Sequence, residues 1–134
     1  MMTQNALTQA NIDQLRTAQI APQKMLIGSD WRSSQSEAVM EVISPIDGAA
    51  FTSIASGSQA DVDAAVAAAR SSFERGVWRN MPPLARKAAL LKWADLIEAD
   101  TLALTVLGVR DNGTEIAMAE KAEAGSAIRT IRFY

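Results

Sequence analysis

Residues 56–76, "SGSQADVDAAVAAARSSFERG", decide how the rest of the chain is read. Val62, Val66, Ala69 and Phe73 recur at spacings of four, three and four, which lines one face of an α-helix. Ser58 stands where an N-cap belongs. Asp61, three residues on, completes a capping-box-like S-x-x-D, and both Asp61 and Asp63 lie where the positive end of the helix dipole favours a carboxylate. Gly76 can close the helix in the left-handed conformation.

Upstream, the period is that of paired strands. "KMLIGSDWR" (24–32) sets a short apolar run against Gly28, Ser29 and Asp30 before Trp31, the pattern of two short strands joined by a turn. A second extended pair follows. Over residues 38–43, Val39, Glu41 and Ile43 alternate with Met40 and Val42, "SPIDG" (44–48) turns the chain, and residues 51–55 return. Pro45 lacks an N–H and presets its own backbone angle, so it suits a turn and would be wrong in a central strand. Residues 1–23 are polar and Gln-rich, with Leu7, Ile12 and Leu15 as a weak apolar face. They read as a peripheral arm, a partner-binding helix being the other reading.

Downstream, "MPPLARKAALLKWADLIEAD" (81–100) predicts a helix with Pro83 in its first turn and Leu84, Ala88, Leu91 and Ala94 on one face, extended by Leu90 and Ile97. A third helix runs from near Asp100 through Leu102, Val106 and Leu107 to a left-handed stop at Asn112 and Gly113. Residues 122–134 read helical, yet "IRTIRFY" (128–134) carries no Gly, Asn or Pro stop, so the expectation is a chain continued elsewhere. Two hairpins cannot cover so much helical apolar face, and something else must.

Composition narrows the chemistry. The 134 residues are 49% hydrophobic and 21% charged, with a formal charge of -2, a mixture that suits one globular domain and argues against nucleic acid or an anionic membrane as partner. No apolar run is long enough to span a bilayer and no secretory h-region is present, which makes the cytoplasm the expected location. There is no Cys and no His, hence no thiolate nucleophile, no Cys-based metal site and no imidazole base. The seven glycines, at 28, 48, 57, 76, 108, 113 and 125, never stand two apart, so no G-x-G-x-x-G can be written. The acidic pairs Asp61/Asp63 and Glu120/Glu123 suit helix-end and surface roles better than acid–base catalysis, and Trp31, Trp78 and Trp93 read as packing anchors.

The order of the pieces is more specific than any one of them. "LIGSDWR", "EVISPIDGAAFTSIASGSQADVDAAVAAARSSFERGVW", "PPLARKAALLKWADLIEAD", "LGVRDNG" and "IRTIRFY" together resemble the N-terminal portion of the NAD(P)-dependent aldehyde dehydrogenase superfamily, from Lys24 to Tyr134. Family members open with a GxW hairpin, an I-N/S-P-x-x-G hairpin, a DVDxAVxAA helix, an RxxLLxxLADLIE helix, a DNG or DTG turn and an FRYYA-like helix. "FERGVW" and "AIRTIRFY" are also similar to the branch acting on γ-glutamyl-γ-aminobutyraldehyde.

The resemblance implies an α/β fold in which two β-hairpins and three or four helices cover a Rossmann-like sheet. Residues 1–23 would be the arm, and 24–134 an incomplete N-terminal part of the cofactor-binding domain. It implies oxidation of an aldehyde to a carboxylic acid by the complete enzyme, with NAD or NADP as cofactor. The reaction would run through a cysteine nucleophile, a glutamate base and an oxyanion-hole asparagine, none of which falls within these residues. The segment alone is then expected to bind no cofactor and not to catalyse. Its partners would be the remainder of the chain, the aldehyde and further copies in a homo-oligomer.

Some family members hold a structural monovalent cation, which carried over residue by residue would lie on the carbonyls of Val42 and Ile43 and the carboxylate of Asp111. The alternative is that Asp111 merely shapes its turn. The chain departs from the family at Gly108, where Glu is usual, at Arg110, where Leu is usual, and at Thr114 and Glu115. From another class comes the competing reading of a free-standing helical interaction module, or truncated paralogue, whose apolar faces bind a partner or self-associate.

Overall fold

The computed structural model describes residues 7–134. In chain order its elements are α1 (Gln9–Thr17), β1 (Met25–Ile27), β2 (Asp30–Arg32), β3 (Val39–Ile43), β4 (Ala50–Ala55), α2 (Gln59–Arg75), α3 (Pro83–Ala99), α4 (Thr101–Asn112), α5 (Ile116–Ala122) and α6 (Ala124–Phe133). They divide into two units. The strand unit holds residues 19–43 and 50–83, and the helical unit holds residues up to 18, 44–49 and 84–134.

In the strand unit both hairpins form where the sequence places them, as two separate two-stranded antiparallel sheets. Ile27 pairs with Asp30, so Gly28 and Ser29 alone make the first turn. Gly28 takes φ +67° at the first central position, where hairpins of the II′ kind want glycine. The second ladder runs from Val39 opposite Ala55 to Val42 opposite Thr52 and then shifts register, pairing Ile43 with Ala50. Gln23 lines the other side of β4, its N–H donating to the Ser53 carbonyl and its own carbonyl accepting from Ala55 N–H.

The capping box of α2 is complete and goes further than the sequence motif requires. Asp61 Oδ2 accepts from the Ser58 N–H at 2.8 Å, the Ser58 hydroxyl at 2.7 Å and the Ser34 hydroxyl at 2.8 Å, and the Gln35 N–H is shared between its two oxygens. Asp61 is 2% exposed, and a carboxylate so buried persists only because its lone pairs are met. Gly76 ends the helix at φ +71°, its N–H donating to the Phe73 carbonyl. The apolar face read from the sequence exists but is open: Val62, Val66 and Phe73 are all more than half exposed.

In the helical unit α4 is central, packing against α1, α5 and α6. The buried apolar side chains are Ala94, Leu102, Val106, Ala119, Ala124 and Ile128. The chain passes from α3 to α4 almost without a loop: Asp100 N–H donates to the Leu96 and Ile97 carbonyls, and the Thr101 hydroxyl donates to those of Ile97 and Glu98. On α6, Arg132 forks onto α3, with Nη2 donating to Asp95 Oδ1 at 2.8 Å and to Glu98 Oε2 at 2.6 Å. The Glu98 carboxylate, and after it that of Asp95, raises the Arg132 pKa, and the Arg132 guanidinium lowers that of Glu98.

Two sequence readings gain detail and a third is corrected. The arm contains a helix, α1, capped by Thr8, whose hydroxyl accepts from Asn11 N–H. Five helices follow the hairpins instead of three or four, because α5 has only seven residues and shows no apolar period to betray it. Nor are the tryptophans anchors in this chain, since Trp31, Trp78 and Trp93 are 64%, 48% and 55% exposed with too little chain around them to bury an indole.

Two outcomes follow from this packing. The hydrogen bonds from Ser58 N–H first, then from the Ser58 hydroxyl, Ser34 and Gln35, pull the Asp61 pKa from 3.8 to about 2. A carboxylate with a depressed folded-state pKa stabilises above its unfolded value and loses that contribution as pH falls through the folded one. Denaturant midpoints measured from about pH 5 down to about pH 2 should therefore fall steeply for the native chain and less steeply for Asp61→Asn, while Ser58→Ala costs about 1 kcal/mol at neutral pH. Secondly, the Thr105 hydroxyl is fully buried on α4 with no hydrogen-bond partner among the described residues. Thr105→Val should raise the unfolding free energy by about 1 kcal/mol in a urea titration, by removing an unmet polar group at constant shape.

Candidate functional site

The site to which the sequence points is the neighbourhood of the "DNG" and "SPIDG" turns. Both turns belong to the helical unit. Gly113 adopts φ +76° at the end of α4 and donates its N–H to the Val109 carbonyl. A Cβ there would lie 3.1 Å from Pro45 Cγ, so the two turns sit against one another and position 113 has little room for a side chain.

Each turn is locked by its own polar side chains. Ser44 N–H donates to the Ala49 carbonyl, Gly48 N–H to the Ser44 carbonyl, and Ile46 N–H to the buried Ser44 hydroxyl. Asp47 Oδ1 accepts from Ala49 N–H at 3.1 Å. That bond, then the Ser44 hydroxyl, and least of all the field of Arg110, hold the Asp47 carboxyl below its ordinary pKa. Across the other turn, Asn112 Oδ1 accepts from Thr114 N–H, and Asn112 Nδ2 donates to Glu123 Oε1, both at 2.8 Å.

Two departures from the family pattern acquire a purpose here. A Cβ on Gly108 would collide with the Glu123 carboxylate, so the glycine on α4 is the space in which that carboxylate sits. Glu123 itself breaks the chain between α5 and α6, with φ -91° and ψ -94°. Arg110 Nη1 donates to the carbonyls of Ala18 at 2.8 Å and Leu15 at 3.3 Å. A guanidinium on the carbonyls at the end of α1 adds donors there and meets the negative end of the helix dipole. In the sequence Gly108 and Arg110 stand only as departures from the family pattern, because their partners lie far along the chain.

Of the proposed cation ligands, Asp111 lies exposed in the last turn of α4, in the helical unit. Val42 and Ile43 lie at the register shift of β3, in the strand unit. No group of three or more acidic side chains suited to a metal ion occurs among the described residues. The turn junction offers hydrogen bonds that hold backbone in place, and no nucleophile beside a base.

A model of the aldehyde dehydrogenase family matches residues 31–134. The chain belongs to that family. It is 36% identical over 112 residues to phenylacetaldehyde dehydrogenase of Pseudomonas fluorescens, covering 84% of this chain and 22% of that protein. Among solved structures, γ-glutamyl-γ-aminobutyraldehyde dehydrogenase from Burkholderia cenocepacia superposes with a TM-score of 0.87 at 33% identity, covering 95% of this chain and 26% of the other. Indole-3-acetaldehyde dehydrogenase of P. syringae, solved with NAD+, superposes with a TM-score of 0.89 at 28% identity, covering 96% and 26%. The two hairpins and the helices thus match the N-terminal part of the aldehyde dehydrogenase fold, and the chain spans about a quarter of the length of these relatives.

A dinucleotide does not fit the residues present in this aldehyde dehydrogenase segment. Pyrophosphate seats on a helix N-terminus that follows a strand and a glycine turn. The connection of that kind here is β4 to α2 through Gly57 and Ser58, where the Ser58 N–H already serves the Asp61 carboxylate and the Asp61 N–H the Ser58 hydroxyl. A second anion there would face a buried carboxylate.

The Gly108 reading has a measurable consequence. Gly→Ala within a helix ordinarily gains about 1 kcal/mol. In thermal or urea unfolding, Gly108→Ala should fail to show this gain in the native background, where it evicts Glu123, and should show it in full beside Glu123→Ala.

Proposed function

We propose that these residues are the leading portion of an NAD(P)-dependent aldehyde dehydrogenase, that they act there as scaffold, and that alone they do not oxidise aldehydes. The observation that carries this reading is the family match over residues 31–134 in a chain that spans about a quarter of its relatives. A thiol nucleophile has to come from outside a chain without cysteine. The open apolar residues of the helical unit, among them Leu84, Leu96, Met118 and Phe133, supply a surface for such a remainder to cover.

The complete protein then oxidises an aldehyde to its acid in the cytoplasm as a homo-oligomer, with a monovalent cation at Asp111 as a further part of the same proposal. An amino-aldehyde of the γ-glutamyl-γ-aminobutyraldehyde kind is the substrate proposed first, supported by the 33% identity to the Burkholderia enzyme. No helix among the described residues is long and apolar enough to cross a membrane. The exposed faces equally favour a second reading, an interaction module that uses them to bind a partner protein or another copy.

Reduction of NAD+ and NADP+ by a panel of aldehydes separates the readings. The 134-residue chain should be inactive, and the same residues continued into a Cys-bearing aldehyde dehydrogenase remainder should be active. An inactive fusion, together with stable self-association of the chain in sedimentation, would favour the module.

A further inference from the structure

In the strand unit, the turn of the β1–β2 hairpin and the flank of α2 enclose a groove of about 740 Å³. Its lining pairs small apolar side chains with hydrogen-bond donors. A Cβ on Gly28 would stand 3.8 Å from Ala68 Cβ, so the hairpin turn rests on the helix there with no bulk between them. The donors come from both walls: Ser29 and Arg32 from the hairpin, Ser72 and Arg75 from the helix.

These donors are mostly uncommitted among the described residues. Arg32 gives one N–H to Asp30 at 3.0 Å, and Arg75 gives one to Ser71 at 2.6 Å, out of five on each guanidinium. The hydroxyls of Ser29 and Ser72 have no hydrogen-bond partner among the described residues. Two arginines against the single carboxylate of Asp30 leave the lining positively charged. Guanidinium forks match the two oxygens of a carboxylate or phosphate.

We propose that this groove binds a small organic oxyanion, a carboxylate or phosphate, with Arg32 and Arg75 on its charged end and the alanine wall on its carbon skeleton. The proposal does not rest on the aldehyde dehydrogenase reading.

Equilibrium dialysis of the 134-residue chain against inorganic phosphate, and separately against succinate, at constant ionic strength tests the proposal. Saturable binding of at least one probe is expected, with a Kd on the order of 1 mM. Arg32→Gln and Arg75→Gln should each weaken it about tenfold with unchanged circular dichroism, and Ala68→Met, which fills the groove, should abolish it. Lys87→Gln removes the same charge from α3 and should leave binding as it was. Phosphate binding alone would identify a phosphoryl ligand, and tighter succinate binding a carboxylate. Absence of saturation with both probes, or equal weakening by Lys87→Gln, would overturn the proposal.

Discussion

The Asp61 carboxylate joins pieces of chain that have little else to join them. It gathers the N–H and hydroxyl of Ser58, the hydroxyl of Ser34 and the N–H of Gln35, and so ties the segment after β2 to the first turn of α2. Because Ser34 spends its one hydroxyl proton on Asp61, Ser36 is the donor in the 2.9 Å bond between the two serines. Ile27 is the only large apolar side chain buried among the described residues of the strand unit. A ring of donors around one buried anion therefore has a larger part in positioning this unit than apolar packing does.

The helical unit meets the same shortage in the same way. Half of its buried apolar residues are alanines, which bring helices close without removing much surface from water. Direction comes from polar ties: Arg110 onto the end of α1, Asn112 onto Glu123, and Arg132 onto Asp95 and Glu98. These bonds specify which element meets which, while Leu84, Trp93 and Phe133 stay in solvent. The exposed ion pairs of Arg132 add little net stability, so they orient more than they stabilise. Helices held in register with their apolar sides open are what a segment needs if it is to be covered by more chain.

Local features were legible because their partners are close in sequence. The capping box at Ser58 and Asp61, the stops at Gly76 and Gly113, and the hairpin turn at Gly28 each depend on bonds or backbone angles within a few residues. The apolar stripe of α2 was also read correctly as a stripe, but periodicity says which side is greasy and never whether anything lies on it. Arg110 bonds a carbonyl 92 residues away and Glu123 sits on a glycine of another helix, so neither role leaves a trace in any short window. The family resemblance was legible for a different reason, since an ordered set of pieces over more than a hundred residues carries information that no single piece does.

By itself the sequence determined the two hairpins, the principal helices with their caps, the exclusion of thiol and imidazole chemistry, and the kinship with aldehyde dehydrogenases. Each of these is a property of neighbouring residues, of composition or of piece order. Only the tertiary structure decided that Asp61 is a buried anion fully met by donors, that Gly108 is a seat for Glu123, that Arg110 closes α1, and that the apolar face of α2 remains open. Those outcomes depend on which distant groups the folded backbone brings within hydrogen-bond or van der Waals reach, and reach is a property of three dimensions.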